Sequence, residues 1–358
     1  MTLGTDTSQA IFGPANSAGQ GYQWAQAIGR HVDGFTAANY TVVTDSTYAF
    51  PTDRAVHVKD YVESEDWSRK FRESILSEYS FGFWESGRPP LGTTPAQDIW
   101  QQIEDLRVGG IRPAFVGHGS DVRIPSLHAE RYAWSPFRNR RHALTKALEI
   151  KTQRLHQGLA EFDGPKFVST PDLLEVVPGS RWLPVIVAEE WFTGPAEPRS
   201  GMLRVAHITS NSMIKRSDDI DLLVEPFVQA RQIDYRRISG LRPDEVRIAL
   251  AECDVVLDQF GIGSYGVAAC EAMALGCTVV GNVTQPVRAF VKELTGHHLP
   301  IMQAELGQIP QTLELLVTQP EQLEVARQVG PAFVRAVHDG TLSASVMGTW
   351  LNSAESHF

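Results

Sequence analysis

Cysteine is scarce in this chain, and positive charge does not dominate it. Cys253, Cys270 and Cys277 are the 3 cysteines among 358 residues, all in apolar neighbourhoods and without the spacing of a disulfide framework or a zinc site. They read as small core residues of a reduced protein. Lys and Arg number 32 against 42 Asp and Glu, a formal net charge of -10, which argues against bulk attraction to nucleic acid. No stretch approaches the roughly 18 to 20 apolar residues of a membrane span. The amino terminus, MTLGTDTSQAIFGP, has neither the basic start nor the long apolar run of a signal peptide. The expected location is the cytoplasm.

What is present is an ordinary globular composition, 42% hydrophobic and 21% charged, in a chain long enough for two domains with substantial cores. QAIFGP reads as a first strand, followed by a glycine-containing loop, ANSAGQG, and a helix. YTVVTD, RAVHVK, SEYSFGFW, RPAFVG and KFVSTP read as further strands, separated by helices over PAQDIWQQIEDLRVGG and 139–162. Strands alternating with helices specify a mainly parallel α/β sheet. Prolines and glycines in VVPGSRWLPVIVAEEWFTGPAEPRSG interrupt the pattern, and a second α/β series begins at MLRVAHITSNS. The expected organisation is a first domain over 1–187, a connection over 188–198, a second domain over 199–336, and a terminal helix over 337–358 packing back across the junction.

The most informative stretch is FGIGSYGVAACEAMALGCTVVGNV, at 260–283. Gly261, Gly263 and Gly266 permit backbone turns and close approach. A helix follows from Val267, Gly276 stops it, and Thr278 begins a buried strand. A glycine loop entering a helix N-terminus suits an anion, because the first helical N–H groups are unpaired. Glu271 lies about a turn and a half into that helix, within reach of whatever crosses the loop.

This stretch, with DVVLDQ before it, resembles the donor-binding segment of the retaining GT-B fold glycosyltransferases of the family-4, or group 1, type, which use nucleotide-activated sugars. There a Glu-x7-Glu motif is followed by Ala-Met-Ala, a small residue and an apolar strand; Glu271, Ala272, Met273, Ala274 and Gly276 match. FVSTPDLLEVVPGSRWLPVIV is similar to the end of that family's N-terminal domain, VAHITSNSMIKRSDDI to its first donor-domain loop, and VGHGSDVRI to a segment on its acceptor side. The ordered set covers about two thirds of the chain. It implies two Rossmann-like α/β domains with a cleft between them, and transfer of a sugar from a nucleotide-sugar donor to an acceptor hydroxyl, with retention. Two departures stand out. Gly263 occupies the place of the first motif glutamate, and Ser210 that of an arginine five residues before the phosphate-binding lysine.

In that frame Lys215 neutralises the diphosphate as sugar and nucleotide separate, a large catalytic term; a solvated surface lysine is the competing reading. Arg216 is a second cation for the same task, and Ser210 and Asn211 either cap the next turn or bind phosphate oxygens. Backbone N–H groups near Gly263, Ser264, Tyr265 and Gly266 hold the distal phosphate, unless the loop is only a sharp turn. Glu271 accepts the two ribose hydroxyls; otherwise it is an exposed helix glutamate. On the acceptor side, Gly19 and Gly21 allow backbone approach to phosphate or acceptor, or form an ordinary strand-to-helix turn. His118 binds a sugar hydroxyl or assists proton movement, or else is a buried structural histidine; Asp121 caps or orients its neighbours. The run Arg138, Arg140, Arg141, His142 and Lys146 is a solvated face or a contact for an anionic acceptor or membrane surface.

No metal ligands and no cofactor are expected, the nucleotide sugar being a substrate. The partners expected are that donor and an acceptor of unassigned class (glycan, lipid-linked, protein or small molecule), not nucleic acid, with peripheral membrane contact left open. The rival readings are a non-catalytic GT-B-like binding or partner subunit, which Gly263 favours, and a sugar-nucleotide epimerase.

Overall fold

The computed structural model describes residues 7–45, 50–94, 97–193 and 201–355. The chain divides into two compact units. The first comprises Met1–Ile124, Leu148–Ile186 and Gly340–Phe358, and the second Pro125–Ala147 and Val187–Asp339.

The first unit is built on a wholly parallel seven-stranded sheet. Its strands are β1 (Ser8–Gly13), β2 (Phe35–Val43), β3 (Arg54–His57), β4 (Phe81–Glu85), β5 (Arg112–Gly117), β6 (Lys166–Val168) and β7 (Arg181–Trp182), in the order β3-β2-β1-β4-β5-β6-β7. Central strands buried on both faces read as continuous apolar runs rather than alternating ones, and Phe81 to Glu85 are all buried. On one face Phe12 stacks on Phe83 at 4.1 Å, and Trp350 meets Phe81 and Phe83 edge-on. Trp350 belongs to the last helix, Thr341–Glu355, which packs beside helix Gln20–His31. Trp24 Nε1 and Ser343 Oγ both donate to the Pro184 carbonyl, at 2.9 and 2.8 Å, and fix both helices to the strand-side chain.

The second unit carries a parallel five-stranded sheet, ordered β12-β11-β10-β8-β9. These strands are β8 (Leu203–Ile208), β9 (Ile233–Ile238), β10 (Val255–Leu257), β11 (Thr278–Gly281) and β12 (Met302–Gln303). The chain runs from β8 to its neighbour β9, then crosses to β10 on the other side of β8. The order therefore reverses between β8 and β10, and the carboxyl ends of those strands form a topological switch point, where open α/β sheets bind ligands.

Three boundaries differ from the sequence expectation. Residues 125–147 leave the first unit and fold with the second, because this stretch buries Pro136 and Phe137 there and His128 Nε2 bonds the Ile262 carbonyl at 3.2 Å. The described part of the expected connection, 188–193, is packed: Trp191 is buried, and Arg335 pairs with Glu189 at 2.9 Å while lying 4.0 Å over the Phe192 ring. Residues 194–198 of that connection lie outside the described residues. The terminal segment splits near Gly340, since helix Glu321–Val337 belongs to the second unit and Thr341–Glu355 to the first. Among the described residues no helix is long and apolar enough to cross a membrane.

The last helix completes the core of the first unit, so Leu351→Ala, at a fully buried position, should destabilise the protein by about 2–5 kcal/mol. A fall in the midpoint of urea unfolding measures this. An unchanged midpoint would show that the helix contributes no core.

Candidate functional site

In the second unit the switch point is assembled by the loops after β8 and β10. β8 ends at Ile208 and the chain enters the short helix Ser212–Lys215, whose N-cap is Asn211: its Oδ1 accepts the Ile214 N–H at 3.2 Å. Asn211 is thus committed to capping, and Ser210 is exposed. Lys215 Nζ donates to Asp258 Oδ1 at 2.8 Å, and the pair is largely buried, with side chains 17% and 5% exposed. Asp258 directly follows β10, so this ion pair ties the ends of β8 and β10 together. His207, buried in β8, adds a second tie. Its Nδ1 bonds the Leu257 carbonyl at 2.7 Å and its Nε2 bonds Ser217 Oγ at 2.9 Å. Burial, helped by the Lys215 charge, pushes the His207 pKa down to about 4, so its ring is a neutral structural group.

The glycine loop follows. A Cβ on Gly261 would lie 2.7 Å from the Ile214 carbonyl, so only glycine lets this loop touch the lysine loop. Gly263 has φ +82, and a Cβ there would lie 2.6 Å from the Trp134 ring and 2.8 Å from Thr284. The place of the absent motif glutamate is therefore packed by an aromatic from the 125–147 excursion. Gly266 is the N-cap of helix Val267–Ala274 and supplies no side-chain cap, leaving the first helical N–H groups available. A Cβ at Gly266 would meet open space. Among the described residues Ser264 Oγ is buried with no hydrogen-bond partner, and so is Thr209 Oγ1, directly after β8. The Tyr265 side chain turns inward, its hydroxyl 3.3 Å from His338 Nε2, so only its backbone serves the loop.

Glu271 is half-buried and its carboxyl has no partner among the described residues. Burial pushes its pKa up to about 8; the Lys215 charge pulls it down and Glu190 pushes it up. Lys215 and Glu271 are thus near enough to sense each other. Arg216 has φ +60, bonds Asp219 at 2.6 Å and donates to the Trp134 carbonyl, which directs it away from Lys215's task. The basic run Arg138, Arg140, Arg141, His142 and Lys146 is exposed on the same unit, with Arg140 3.4 Å from Glu130.

In the first unit the corresponding edge is occupied by a carboxylate of the protein. Glu85, the last residue of β4, is fully buried; it accepts the Asn16 N–H at 3.0 Å and lies 2.9 Å from His118 Nε2. A Cβ on Gly21 would lie 2.9 Å from Glu85 Oε2, and one on Gly19, at φ +76, would lie 3.1 Å from Phe50. Both glycines make room for neighbouring side chains. The loop's anion is Glu85. Asp121 caps its own loop, accepting the N–H groups of His118, Gly119 and Val122. The His118 ring stacks on Trp24 at 5.5 Å. Burial opposes charge on His118, but the hydrogen bond and charge of Glu85, with Asp121 adding, raise its pKa overall. With Nε2 directed at a carboxylate, Nδ1 is the ring nitrogen left to a ligand.

Glu85, Asp258 and Trp134 were not singled out by their residue patterns. The two acids had a signal, since each closes a buried apolar run, FGFWE and DVVLD. A groove of about 740 Å3 on the first unit, lined by Trp100, Glu104, Arg107, Arg154 and Phe162, contains none of these residues. Chemistry rather than volume locates the site. Among the described residues no group of three or more His, Cys, Asp or Glu side chains is placed to hold a metal.

No family model matches the sequence, and no curated protein matches it either. Solved structures do match the fold. Sucrose-phosphate synthase from Thermosynechococcus elongatus aligns over 98% of this chain and 100% of its own, with 14% identity and a TM-score of 0.61. Anabaena HepE, solved with UDP and glucose, aligns over 97% and 100%, with 11% identity and a TM-score of 0.56. WaaG, a glycosyltransferase of lipopolysaccharide biosynthesis, aligns over 94% and 98%, with 11% identity and a TM-score of 0.54. The chain has the GT-B fold of these proteins.

Two titrations test the site. The folded protein holds a proton on Glu271 up to about pH 8, whereas the unfolded chain releases it near the ordinary carboxyl value. The unfolded state then binds fewer protons, so stability falls as pH rises from about 4.5 to about 8. Glu271→Gln should remove this slope and leave the variant more stable than the parent at pH 9 but not at pH 4; parallel melting curves decide it. For His118 the sign is the same. Its raised pKa contributes stability that is present below about pH 6.5 and lost as pH climbs through the folded value. Glu85→Gln should bring the His118 midpoint down in an NMR titration, and an unmoved midpoint would separate the two groups electrostatically.

Proposed function

We propose that the protein is a glycosyltransferase that moves a sugar from a nucleotide-sugar donor to an acceptor hydroxyl, with retention, in the cytoplasm. The observation that carries this reading is the meeting, at the switch point of the second sheet, of Lys215, an uncapped helix N-terminus behind a glycine loop, and the unpartnered carboxyl of Glu271. A cation and a row of N–H groups suit a diphosphate. The Glu271 carboxyl, protonated in the ligand-free protein, suits the adjacent hydroxyls of a ribose, whose donated hydrogen bonds would favour its ionised form. UDP in the HepE crystal belongs to that protein, and it motivates UDP as the first probe here.

In the reaction the bond between the anomeric carbon and the phosphate oxygen breaks, and the electron pair leaves with the nucleoside diphosphate. Lys215 and the helix N-terminus would meet the charge that develops there, without need of a metal ligand set. The acceptor oxygen takes the carbon and loses its proton. His118, held through Nε2 by Glu85, offers Nδ1 for that proton or for an acceptor hydroxyl. The exposed run around Arg140 is the candidate contact for an anionic acceptor or a membrane surface. A second reading, binding without transfer, draws on the packing of Trp134 where the motif glutamate would stand.

Binding is tested first by thermal shift with nucleoside diphosphates, where a ligand at 100 times its Kd stabilises the folded state by about 2.7 kcal/mol. Lys215→Ala should weaken diphosphate binding by about 1.5–3 kcal/mol while leaving the nucleoside little affected. Equal losses for both would remove Lys215 from the phosphates. Turnover of the nucleotide sugar with and without acceptor then separates transfer, acceptor-independent isomerisation and no reaction.

A further inference from the structure

Asp258 is the acidic residue that the geometry places in the donor region and that none of the roles above employs. It is 4% exposed, and only one of its oxygens is engaged: Oδ1 receives Lys215 Nζ at 2.8 Å, while Oδ2 has no partner among the described residues. Lys215 keeps two of its three N–H donors for a ligand. On the loops that carry the pair, Thr209 Oγ1 and Ser264 Oγ have no partners among the described residues, and each residue is more than nine-tenths buried. Buried polar groups in native proteins are satisfied as a rule, so this edge has donors and acceptors left for something that is bound. The anionic oxygen lies beside the lysine that would hold the diphosphate, in the same loop as Gly263, where Trp134 fills the place of a motif carboxylate.

We infer that Asp258 is a specificity-determining residue of the donor site, accepting a hydroxyl of the donor sugar through Oδ2. The inference rests on the nucleotide-sugar reading above. A carboxylate in this position distinguishes two ligands that share a nucleotide. A sugar conjugate presents hydroxyl donors to it, whereas a free nucleoside diphosphate presents a terminal phosphate of its own sign. The residue therefore favours the conjugate and disfavours the product that remains after transfer.

The test uses the full chain and calorimetry with two matched probe pairs, UDP with UDP-glucose and GDP with GDP-mannose. In Asp258→Asn the preference for the conjugate over its free diphosphate should fall about tenfold, through loss of a charge-assisted bond and of like-charge repulsion. Because the single change leaves Lys215 as an unpaired buried cation, the double variant Asp258→Asn with Lys215→Gln is measured beside it. It removes both charges and should show the same loss of preference. An unchanged preference in a folded Asp258→Asn overturns the inference. So does a double variant that regains the parent's preference, since Asp258 would then act only through Lys215. If the unaltered protein binds neither pair, the donor reading itself falls and the inference with it. Binding with an unmoved ratio leaves the donor reading standing and refutes only the role of Asp258.

Discussion

The ion pair between Lys215 and Asp258 is the constraint around which the second unit's site is arranged. Its Oδ1 and ammonium join the loops after β8 and β10 at 2.8 Å, and the pair is largely out of water. Removing one partner of such a pair is far more costly than never having built it, so both loops are held wherever the pair is held. Gly261 can then press on the Ile214 carbonyl, the glycine loop can turn into helix Val267–Ala274, and Glu271 is carried within electrostatic reach of Lys215. A ligand that takes the free donors of Lys215 enters a site whose walls are already fixed, and preorganised charge of this kind is what stabilises a leaving group.

The elements that could be read from residue pattern are those whose burial is local and continuous. Buried parallel strands advertise themselves as apolar runs, and the helix from Val267 was legible through its glycine entry and its stop at Gly276. Domain membership was not legible for 125–147. That stretch mixes prolines, arginines and aromatics, and what assigns it to the second unit is a set of non-local contacts: Trp134 on Gly263, and His128 on the Ile262 carbonyl. Site residues follow the same division. Lys215 and Glu271 stand in recognisable local contexts. Asp258 and Glu85 acquire their importance from partners 43 and 33 residues away in the chain, which spacing alone does not reveal.

Gly263 shows how one substitution can be read in two ways. As an entry in a motif it is a missing glutamate, which speaks against sugar recognition. In the folded chain it is a left-handed residue with no room for a side chain, because Trp134 and Thr284 lie against it. The aromatic and the glycine require each other. The loop has a packed wall at that point, while a carboxylate, Asp258, stands five residues earlier in the chain, directly after β10. A glycine at 263 therefore leaves the region with an acidic group, Asp258.

The two units share no evident sequence repeat, yet each places a buried acid at the same topological point. In the first sheet the order reverses between β1 and β4, Glu85 closes β4, and the loop after β1 donates to it through the Asn16 N–H. In the second the order reverses between β8 and β10, Asp258 follows β10, and the loop after β8 donates to it through Lys215. The reason lies in parallel-sheet geometry. Where successive crossovers diverge to opposite sides, the two strand ends are left side by side without a helix covering them, and their loops must satisfy one another. A carboxylate on one loop and donors on the other meet that requirement. Each acid engages only part of its partner's bonding capacity: Nε2 of His118 in the first unit, and one of the three N–H donors of Lys215 in the second. On the glycosyltransferase reading proposed above, the same device would supply a proton acceptor in one unit and a phosphate-binding cation in the other.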